Sequence, residues 1–284
     1  MTLPVDLTRL GVVTLKGKTV VITGASSGIG AATAGSMSRR GAHVVLLARG
    51  LAALEREAAE ITAAGGRATI YPVDVSDGDA VTAMAERCLR EVGPVDVVVN
   101  NAGIGEWLFI DETSDEQMRA MMAVPAFAAF YVTKAFLPSM IERGSGWVTN
   151  VNGPGAYAPW PGSMGYAMAR WALRGFAESL RADVHGTGVG VSQVVMGHVA
   201  SPYYENNPGT TDRIATLDRM IPTLTVEQAG EIVTKATERR RRDVFAPPLI
   251  RALIGLHKVM PRPVHWLVIK SGASRSSIPD KQGV

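Results

Sequence analysis

The sequence contains a single cysteine, Cys88, and this scarcity limits the chemistry that the chain can support. One thiol cannot close a disulfide within the chain, so a disulfide-stapled secreted scaffold is excluded. We expect Cys88 to act as a small apolar side chain in a helix rather than as a catalytic group. A reducing compartment, the cytoplasm, is therefore the predicted location.

Long apolar runs and a strong charge excess are also missing. No stretch of about 18 uninterrupted apolar residues occurs, so no membrane-spanning helix is predicted. The N-terminus lacks the basic and apolar regions of a signal peptide. The net charge is only +3, which argues against bulk binding to nucleic acid. His198 and His257 do not have the spacing of metal ligands, and no metal site is predicted.

Glycine, by contrast, occurs where a ligand-binding turn needs it. Val20 to Ile22 form a short β-branched run that is typical of a buried parallel strand. The letters T-G-A-S-S-G-I-G follow and lead into an alanine-rich segment that predicts a helix from Ala31 to Arg40. Glycines let the backbone approach a ligand, and the first N–H groups and the positive dipole end of the helix face an anion. The stretch predicts a pyrophosphate site, and a glycine-rich turn without a ligand is the alternative.

Strand and helix patterns alternate along the chain without a break in composition. Further apolar runs that predict strands lie at 43–48, 68–73, 94–99, 147–151, 188–195 and 243–246. This alternation predicts a single-domain α/β Rossmann fold, a doubly wound parallel sheet of about seven strands with helices on both faces. We expect an extension at 1–16, the main domain at 17–247 with a lid insertion at 197–222, and an amphipathic segment with a flexible tail at 248–284.

Two motifs together resemble those of the short-chain dehydrogenase/reductase family. The first is the T-G-x-x-x-G-x-G spacing that begins at Thr23, and the second is N-N-A-G at 100–103, after the predicted fourth strand. The resemblance implies an oxidoreductase that binds a nicotinamide dinucleotide. It implies a cofactor site made of Gly24, Ser26, Ser27, Gly28, Ile29, Gly30, Asp74, Val75, Asn101, Ala102, Gly103, Tyr166, Arg170 and Val199.

The end of the second predicted strand indicates which dinucleotide is bound, because this position lies beside the adenosine ribose in such folds. An acidic residue there would accept hydrogen bonds from the ribose 2′-hydroxyl. Here Ala48 carries no carboxylate, and Arg49 supplies a guanidinium that attracts a 2′-phosphate. NADP(H) is therefore predicted as the cofactor, and an exposed arginine at a strand end is the alternative.

The catalytic positions that the resemblance implies are only partly kept. The family uses a tyrosine that exchanges a proton with the substrate oxygen and a lysine four residues later. It also uses a serine after the fifth strand and an asparagine in the preceding long helix. Tyr166 matches the tyrosine, whereas Arg170 stands at the lysine position. Gly153 stands at the serine position and Pro125 at the asparagine position.

Each replacement has its own expected consequence. Arg170 keeps a positive charge one helical turn from Tyr166 and can favour its phenolate, but it cannot release a proton near neutral pH. Gly153 removes a hydroxyl donor, for which the amide of Asn152 is the candidate replacement. Pro125 interrupts the helix ladder, so we expect a kink without the amide side chain. Tyr166, Arg170 and Asn152 are the predicted catalytic residues.

Three functions follow from this pattern. The first is an NADP(H)-dependent oxidoreductase with Tyr166 as acid and base, and Arg170 as electrostatic support. The second is a non-redox enzyme on the same scaffold, such as an isomerase, cyclase or lyase. The third is a catalytically silent NADP-binding partner protein. The intact glycine turn and Arg49 favour the first.

The C-terminal segment from Pro247 to Lys270 is apolar and is interrupted by prolines and basic residues. It predicts a helix packed on the core or on a second subunit, a wall for a lipophilic substrate, or a peripheral contact with an anionic membrane. Trp107, Phe109, Trp160 and Tyr203 also favour a bulky apolar substrate. The apolar faces of the two long helices predict a homo-dimer or a tetramer.

Overall fold

The structure is a computed structural model that describes residues 13–205, 207, 210, 213 and 220–273. Most of the extension predicted at 1–16 lies outside the described residues. Within the lid insertion predicted at 197–222, residues 206, 208–209, 211–212 and 214–219 also lie outside the described residues, as does the tail beyond 273.

The described strands are β1 (Thr19–Thr23), β2 (His43–Ala48), β3 (Arg67–Pro72), β4 (Val97–Asn100), β5 (Gly146–Asn152), β6 (Val189–Met196), β7 (Val199–Ala200), β8 (Leu224–Thr225) and β9 (Asp243–Ala246). Seven of them form one parallel sheet in the order β3-β2-β1-β4-β5-β6-β9, whereas β7 and β8 pair with each other. The chain winds outward in both directions from β1, which pairs with β2 and β4. The predicted doubly wound sheet of seven strands is confirmed.

Helices cover both faces of this sheet. They are α1 (Gly28–Arg39), α2 (Leu51–Ala63), α3 (Gly78–Glu91), α4 (Asp115–Met122), α5 (Ala128–Glu142), α6 (Met164–Asp183), α7 (Val226–Glu238), α8 (Pro248–Val259) and α9 (Pro261–Ser271). Side chains of β1 alternate between the faces: Val20 and Ile22 pack with α1, α2 and α7, whereas Val21 packs with α3, α5 and α6. The continuous apolar runs of the strands reflect this burial on both sides.

Cys88 lies on α3 and belongs to the core on the second of these faces. Burial raises the pKa of its thiol to about 11. The thiol is therefore protonated at neutral pH and is a poor nucleophile. Cys88 serves as a small apolar side chain, as predicted.

The long helical region is interrupted at the predicted place. A π-helical turn at Ala123–Phe127 contains the buried Pro125 and joins α4 to α5. The N–H of Ala128 donates to the carbonyl of Ala123, which is the five-residue spacing of a π turn. Pro125 has no N–H for a regular ladder, and the wide turn accommodates this loss.

The continuous stretch Asp115–Glu142 is also long and apolar enough to cross a membrane, judged by length and composition alone. Its second half, α5, packs against the sheet through Val132 and Phe136, which are fully buried. This packing is what a core helix of the fold requires, and it accounts for the apolar composition.

The C-terminal segment forms two helices, α8 and α9, which contact each other and which we call the C-terminal helix pair. Ile250 and Ile254 lie one turn apart on α8 and pack against Tyr157, Val195 and Ile221. On α9, the side chain of Val264 is also buried. In the described residues, the C-terminal helix pair packs on the core through these side chains.

Candidate active site

A cleft of about 760 Å³ lies at the carboxyl ends of the central strands. In open parallel sheets ligands bind at this edge, where the strand order reverses and the loops diverge. The cleft is lined by Gly24, Ser26, Ser27, Gly28, Ile29, Arg49, Asp74, Val75, Asn101, Ala102, Gly103, Asn152, Gly153, Tyr166, Arg170 and Val199, among others. The structure thus brings together nearly all of the residues that the sequence predicted to contact the cofactor.

The turn after β1 has the geometry of an anion site. Gly24 and Gly28 have φ angles of 64° and 54°, and a residue with a side chain would adopt these angles only with backbone strain. Gly28 begins α1, whose first turn has no acidic residue; its N-cap, Ser27, makes no side-chain cap within the described chain. The first N–H groups of α1 are therefore left for an anionic ligand.

Gly30, which the sequence predicts as a cofactor contact, serves the packing of α1 in this structure. It does not line the cleft. A Cβ atom at Gly30 would overlap the carbonyl oxygen of Gly24 and lie 2.7 Å from Nδ2 of Asn101. Glycine is needed here because the helix passes so close to the turn that precedes it.

Asn101 ties β1 to β4 below the cleft. Its Nδ2 donates to the carbonyl of Thr23 at 3.0 Å. The backbone N–H groups of Asn101 and Ala102 both donate to Oγ1 of Thr23 at 2.9 Å. The sequence predicted Asn101 as a member of the cofactor site, and the role of the Thr23 hydroxyl was missed, although the threonine of the first motif was a usable signal.

Arg49 and Asp74 lie together at the edge of the cleft formed by β2 and β3. Asp74 accepts hydrogen bonds from the hydroxyl and the backbone N–H of Ser76, at 2.7 and 2.9 Å. These bonds lower the pKa of Asp74, and the charge of Arg49 lowers it further. Arg49 itself is exposed, so its guanidinium is accessible to a ligand.

Tyr166 lies on α6 with its ring enclosed by three glycines. A Cβ at Gly153 would overlap the Tyr166 hydroxyl. A Cβ at Gly105 would lie 2.7 Å from the ring carbon Cδ2, and one at Gly155 would lie 2.6 Å from Cε1. The phenol therefore occupies the space that a serine side chain at position 153 would need.

Arg170 follows one helical turn later and is buried, with 8% of its surface exposed. Its guanidinium carbon lies 5.1 Å from the centre of the Tyr166 ring, and a Cβ at Gly103 would come within 2.8 Å of Nη2. Burial works against the charge, but the phenols of Tyr166 and Tyr203 outweigh it and raise the pKa of Arg170. Among the described residues no carboxylate forms an ion pair with Arg170.

Asn152 borders the cleft, but its amide is turned into the fold, which corrects its prediction as a replacement donor. Its Nδ2 donates to the carbonyl of Arg170 at 3.1 Å and to Oε1 of Gln193 at 3.4 Å. Its Oδ1 accepts from the N–H of Gly153 at 2.8 Å. With both amide hydrogens engaged, Asn152 holds α6 against β5 and offers no donor to a substrate.

Tyr203 is a second phenol beside Arg170, a role that the sequence analysis missed. It lines the cleft, and its hydroxyl donates to the carbonyl of Gly105 at 3.5 Å. Burial raises the pKa of Tyr203, and the charge of Arg170 partly offsets this. The sequence placed Tyr203 near the site only by its aromatic character, because no local pattern connects positions 203 and 170.

The described members of the lid insertion contact the segment that follows β4. Oδ1 of Asn207 accepts from the N–H of Gly105 at 2.9 Å, and its Nδ2 donates to the carbonyl of Tyr203 at 2.6 Å. Arg213 forms an ion pair with Glu112. These contacts place the described part of the insertion along one side of the cleft.

An apolar cavity of about 120 Å³ adjoins the cleft. Its walls include Trp107, Trp160, His198, Tyr204, Ile221, Ile250, Ile254, His257, Val264 and Val268. Tyr166, Met196, Gly197 and Tyr204 line both spaces, so the two meet at Tyr166.

Two tryptophans dominate the wall of this cavity beside Tyr166. The Trp107 and Trp160 rings meet edge-on at 5.0 Å and lie 5.8 and 5.7 Å from the Tyr166 ring. In the part of the chain that the structure describes, both indole N–H groups are buried and lack a hydrogen-bond partner.

Comparison with known proteins connects this site to a family. The profile of the short chain dehydrogenase family matches residues 18–211. The chain is 34% identical over 255 residues to the probable oxidoreductase EphD of Mycobacterium tuberculosis, covering 86% of this chain and 43% of that protein. It thus spans less than half the length of this relative.

Two shorter relatives carry more specific names. The chain is 38% identical over 193 residues to the 1-deoxy-11-beta-hydroxypentalenate dehydrogenase of Streptomyces exfoliatus, covering 66% of this chain and 70% of that one. It is 30% identical over 232 residues to the fatty acyl-CoA reductase of Acinetobacter baylyi, covering 81% and 76%.

Solved structures with the same fold hold nicotinamide dinucleotides. A metagenomic short-chain oxidoreductase in complex with NADP superposes with a TM-score of 0.69 at 30% identity, covering 82% of this chain and 98% of that one. A short chain dehydrogenase/reductase from Burkholderia phymatum in complex with NAD gives a TM-score of 0.78 at 25% identity, covering 88% and 96%. These neighbours support a nicotinamide cofactor and leave the choice between NADP and NAD to the residues of the cleft. The chain therefore belongs to the short-chain dehydrogenase family of oxidoreductases.

Proposed function

We propose that this chain is an NADP(H)-dependent oxidoreductase that exchanges a hydride between the nicotinamide and a carbonyl or alcohol carbon of a bulky apolar substrate. The observation that carries this proposal is the position of Tyr166, which borders both the cleft and the apolar cavity. A proton donor at this junction can reach a substrate oxygen whose carbon faces the cleft.

The residues of the cleft fit a dinucleotide. The positive φ angles of Gly24 and Gly28 and the uncapped start of α1 suit a pyrophosphate. Arg49 would hold the adenosine 2′-phosphate, and Arg170 would bind a hydroxyl of the nicotinamide ribose. When bound, the cofactor supplies or accepts the hydride.

Tyr166 carries the proton transfer. In the reducing direction its hydroxyl gives a proton to the substrate oxygen, and the resulting phenolate is stabilised by the buried guanidinium of Arg170. Arg170 cannot supply the next proton because a guanidinium keeps its protons. Reprotonation of Tyr166 therefore comes from water in the cleft, and the oxidising direction runs these steps in reverse.

The preference for NADP(H) is tested by Arg49→Glu. We expect the affinity for NADPH to fall at least tenfold, since a charge-assisted contact is replaced by repulsion. The affinity for NADH should stay within about twofold, because NADH has no 2′-phosphate to lose a contact. Calorimetric titration of the purified chain with both nucleotides measures this without a known substrate.

The matched control for this experiment is Arg67→Glu, which makes the same charge change at the opposite end of the sheet, where β3 begins. Equal NADPH affinities for the two variants would contradict the role of Arg49. Failure of the parent chain to bind either nucleotide would contradict the proposed function as a whole.

The cavity also indicates a substrate class. Its polar lining groups are indoles, phenols, imidazoles and one serine, and no carboxylate is among the described residues that line it. A buried N–H without a partner costs about 1–3 kcal/mol, which a substrate oxygen can recover. We therefore propose an apolar substrate with a second hydrogen-bond acceptor away from the reacting carbon, and one similar protein is named for a fatty acyl substrate.

Replacement of Trp107 by phenylalanine tests this substrate class, because it keeps an aromatic ring and removes the N–H. We expect KM to rise about tenfold for aldehydes that carry a second oxygen a few bonds from the reacting carbon, because the Trp107 ring lies 5.8 Å from the Tyr166 ring, and we expect little change in kcat. Aldehydes of equal length without that group should be unaffected. Trp171→Phe, at an exposed position on α6, is the control. A KM that rises equally for both kinds of aldehyde would contradict the second acceptor.

A catalytically silent NADP(H)-binding protein is the second candidate. It is favoured by the inward amide of Asn152 together with Gly153, because neither residue offers a side-chain donor to the substrate oxygen at the position of the family's serine. Loss of one oriented donor costs about 10²- to 10³-fold in rate. Tight NADPH binding without turnover of any carbonyl substrate would favour this candidate, or a non-redox enzyme, over the first.

The assembly state and the location also remain predictions. Phe127 and Phe130 at the start of the α5 region and Trp171 on α6 are each about half exposed, which supports a homo-dimer or tetramer paired through these helices. Light scattering of the purified chain measures the assembly directly. The prediction of a cytoplasmic location rests on the scarcity of cysteine, because the single Cys88 closes no disulfide within the chain.

A further inference from the structure

The outer surface of the C-terminal helix pair combines two kinds of exposed side chain. Large apolar residues occur there together with cations. The exposed fractions of Val259 and Trp266 are 80% and 62%, which are much larger than those of side chains packed in the core. The exposed large apolar residues of the pair are Leu249, Leu256, Val259, Met260, Trp266, Leu267 and Ile269.

The inner and outer faces of the pair are distinct. Ile250 and Ile254 fill the inner face of α8 and pack on the core. Leu249, Leu256 and Val259 are seven and three residues apart, so they fall together on another face of the same helix. The helix pair therefore keeps a second apolar stripe after its packing on the core is complete.

The charge of this segment has one sign. From Pro247 to Ala273 the sequence has no aspartate or glutamate, although the whole chain has 26 acidic residues against 29 lysines and arginines. The cations of the segment are all exposed, and they are Arg251, Lys258, Arg262 and Lys270. A second copy of this face would bring like charges together, whereas an anionic partner would neutralise them.

We propose that the outer face of the C-terminal helix pair docks on the surface of an anionic lipid bilayer. An amphipathic helix with apolar side chains between cations binds in this way, since the apolar groups enter the head-group region and the cations contact lipid phosphates. Trp266 suits this depth because its ring is amphipathic. The chain would lie on the membrane surface, and the docking is independent of the proposed reaction.

Docking would also place the apolar cavity next to the lipid. The same two helices line that cavity with their inner faces, through Ile254, His257, Val264 and Val268. An apolar substrate would then pass from the bilayer to Tyr166 with little exposure to water. This last step rests on the proposed function, whereas the docking itself does not.

Sedimentation of the full chain with lipid vesicles tests the proposal. We expect binding to phosphatidylcholine vesicles that contain phosphatidylglycerol and little binding to phosphatidylcholine alone. Added salt should weaken the binding because the charges are exposed. Removal of one cation, as in Arg262→Gln, should weaken it about fivefold. The absence of binding to the anionic vesicles, or equal binding to both kinds, would overturn the proposal.

A matched pair of variants localises the contact. Val259→Asp combined with Trp266→Asp should reduce vesicle binding at least tenfold, while NADPH binding and circular dichroism stay unchanged, since both side chains point away from the core. Ile110→Asp, at a residue 64% exposed in a turn elsewhere, should bind vesicles like the parent. Equal vesicle binding by the double variant would overturn the proposal. A change in its assembly state with vesicle binding intact would instead make this face an interface between copies.

Discussion

Replacement of Tyr166 by phenylalanine is expected to reduce turnover on the order of 10³-fold while NADPH binding stays nearly unchanged. Among the described residues, Tyr166 and Tyr204 are the two phenols that line both the cleft and the apolar cavity, and Tyr166 is the one whose ring lies 5.1 Å from the guanidinium carbon of Arg170. The ring itself stays, so the packing between Gly105, Gly153 and Gly155 should survive.

The measurement is NADPH oxidation with a panel of long-chain aldehydes and ketones, together with calorimetric titration of NADPH. Tyr131→Phe is the control, since it removes a hydroxyl from a half-buried tyrosine on α5, a helix away from the cleft. Retention of the parent rate by the Tyr166 variant would show that another group donates the proton. A drop in NADPH affinity equal to the drop in rate would show a binding role instead.

Restoring the family's serine at Gly153 is expected to lower the activity rather than raise it. A Cβ at this position would overlap the Tyr166 hydroxyl, and the edges of the ring are confined by the backbone of Gly105 and Gly155. The phenol must therefore leave its position beside Arg170 to admit the new side chain. A displacement of about 1 Å at a reacting group can cost about 10²-fold, so we expect a loss of about 10- to 100-fold in kcat.

Gly175→Ser is the matched control for this prediction. Gly175 also lies on α6, and a Cβ there would meet no atom within 4 Å. Thermal unfolding of both variants shows whether the loss at Gly153 comes from the site or from the stability of the fold. A higher kcat in Gly153→Ser would contradict the crowding argument and show that the phenol can move at little cost.

The departures from the family pattern fit one another in space. The hydroxyl of Tyr166 occupies the space that a side chain at position 153 would fill. The guanidinium of Arg170 packs against Gly103, where a Cβ would be 2.8 Å from Nη2. Arg170 also interacts with Tyr203, and this interaction raises the pKa of Arg170. This mutual fit favours an active site with altered residues over a site that has lost its catalytic function.

Most of the fold could be predicted from local patterns. The strands His43–Ala48 and Asp243–Ala246 have the predicted bounds. When both faces of a sheet are buried, a strand is a short apolar run between polar turns, and the ends of that run fix the ends of the strand. The helix after the glycine turn begins at Gly28 rather than at Ala31, since Ser27 rather than a later residue is the N-cap. Helix ends depend on one or two hydrogen bonds, and composition alone constrains them weakly.

The sequence by itself determined the doubly wound sheet, the glycine turn, Arg49 at the end of β2 and the pair of Tyr166 and Arg170. These features depend on residues close together in the chain, so strand and helix periodicity is enough to place them. Tertiary structure alone decided that the amide of Asn152 points inward, that α1 packs closely on the preceding turn at Gly30, and that Tyr203 lies beside Arg170. Each of these depends on which side chains meet across the fold. Packing and hydrogen bonding between residues distant in sequence set those contacts, and no local pattern encodes them.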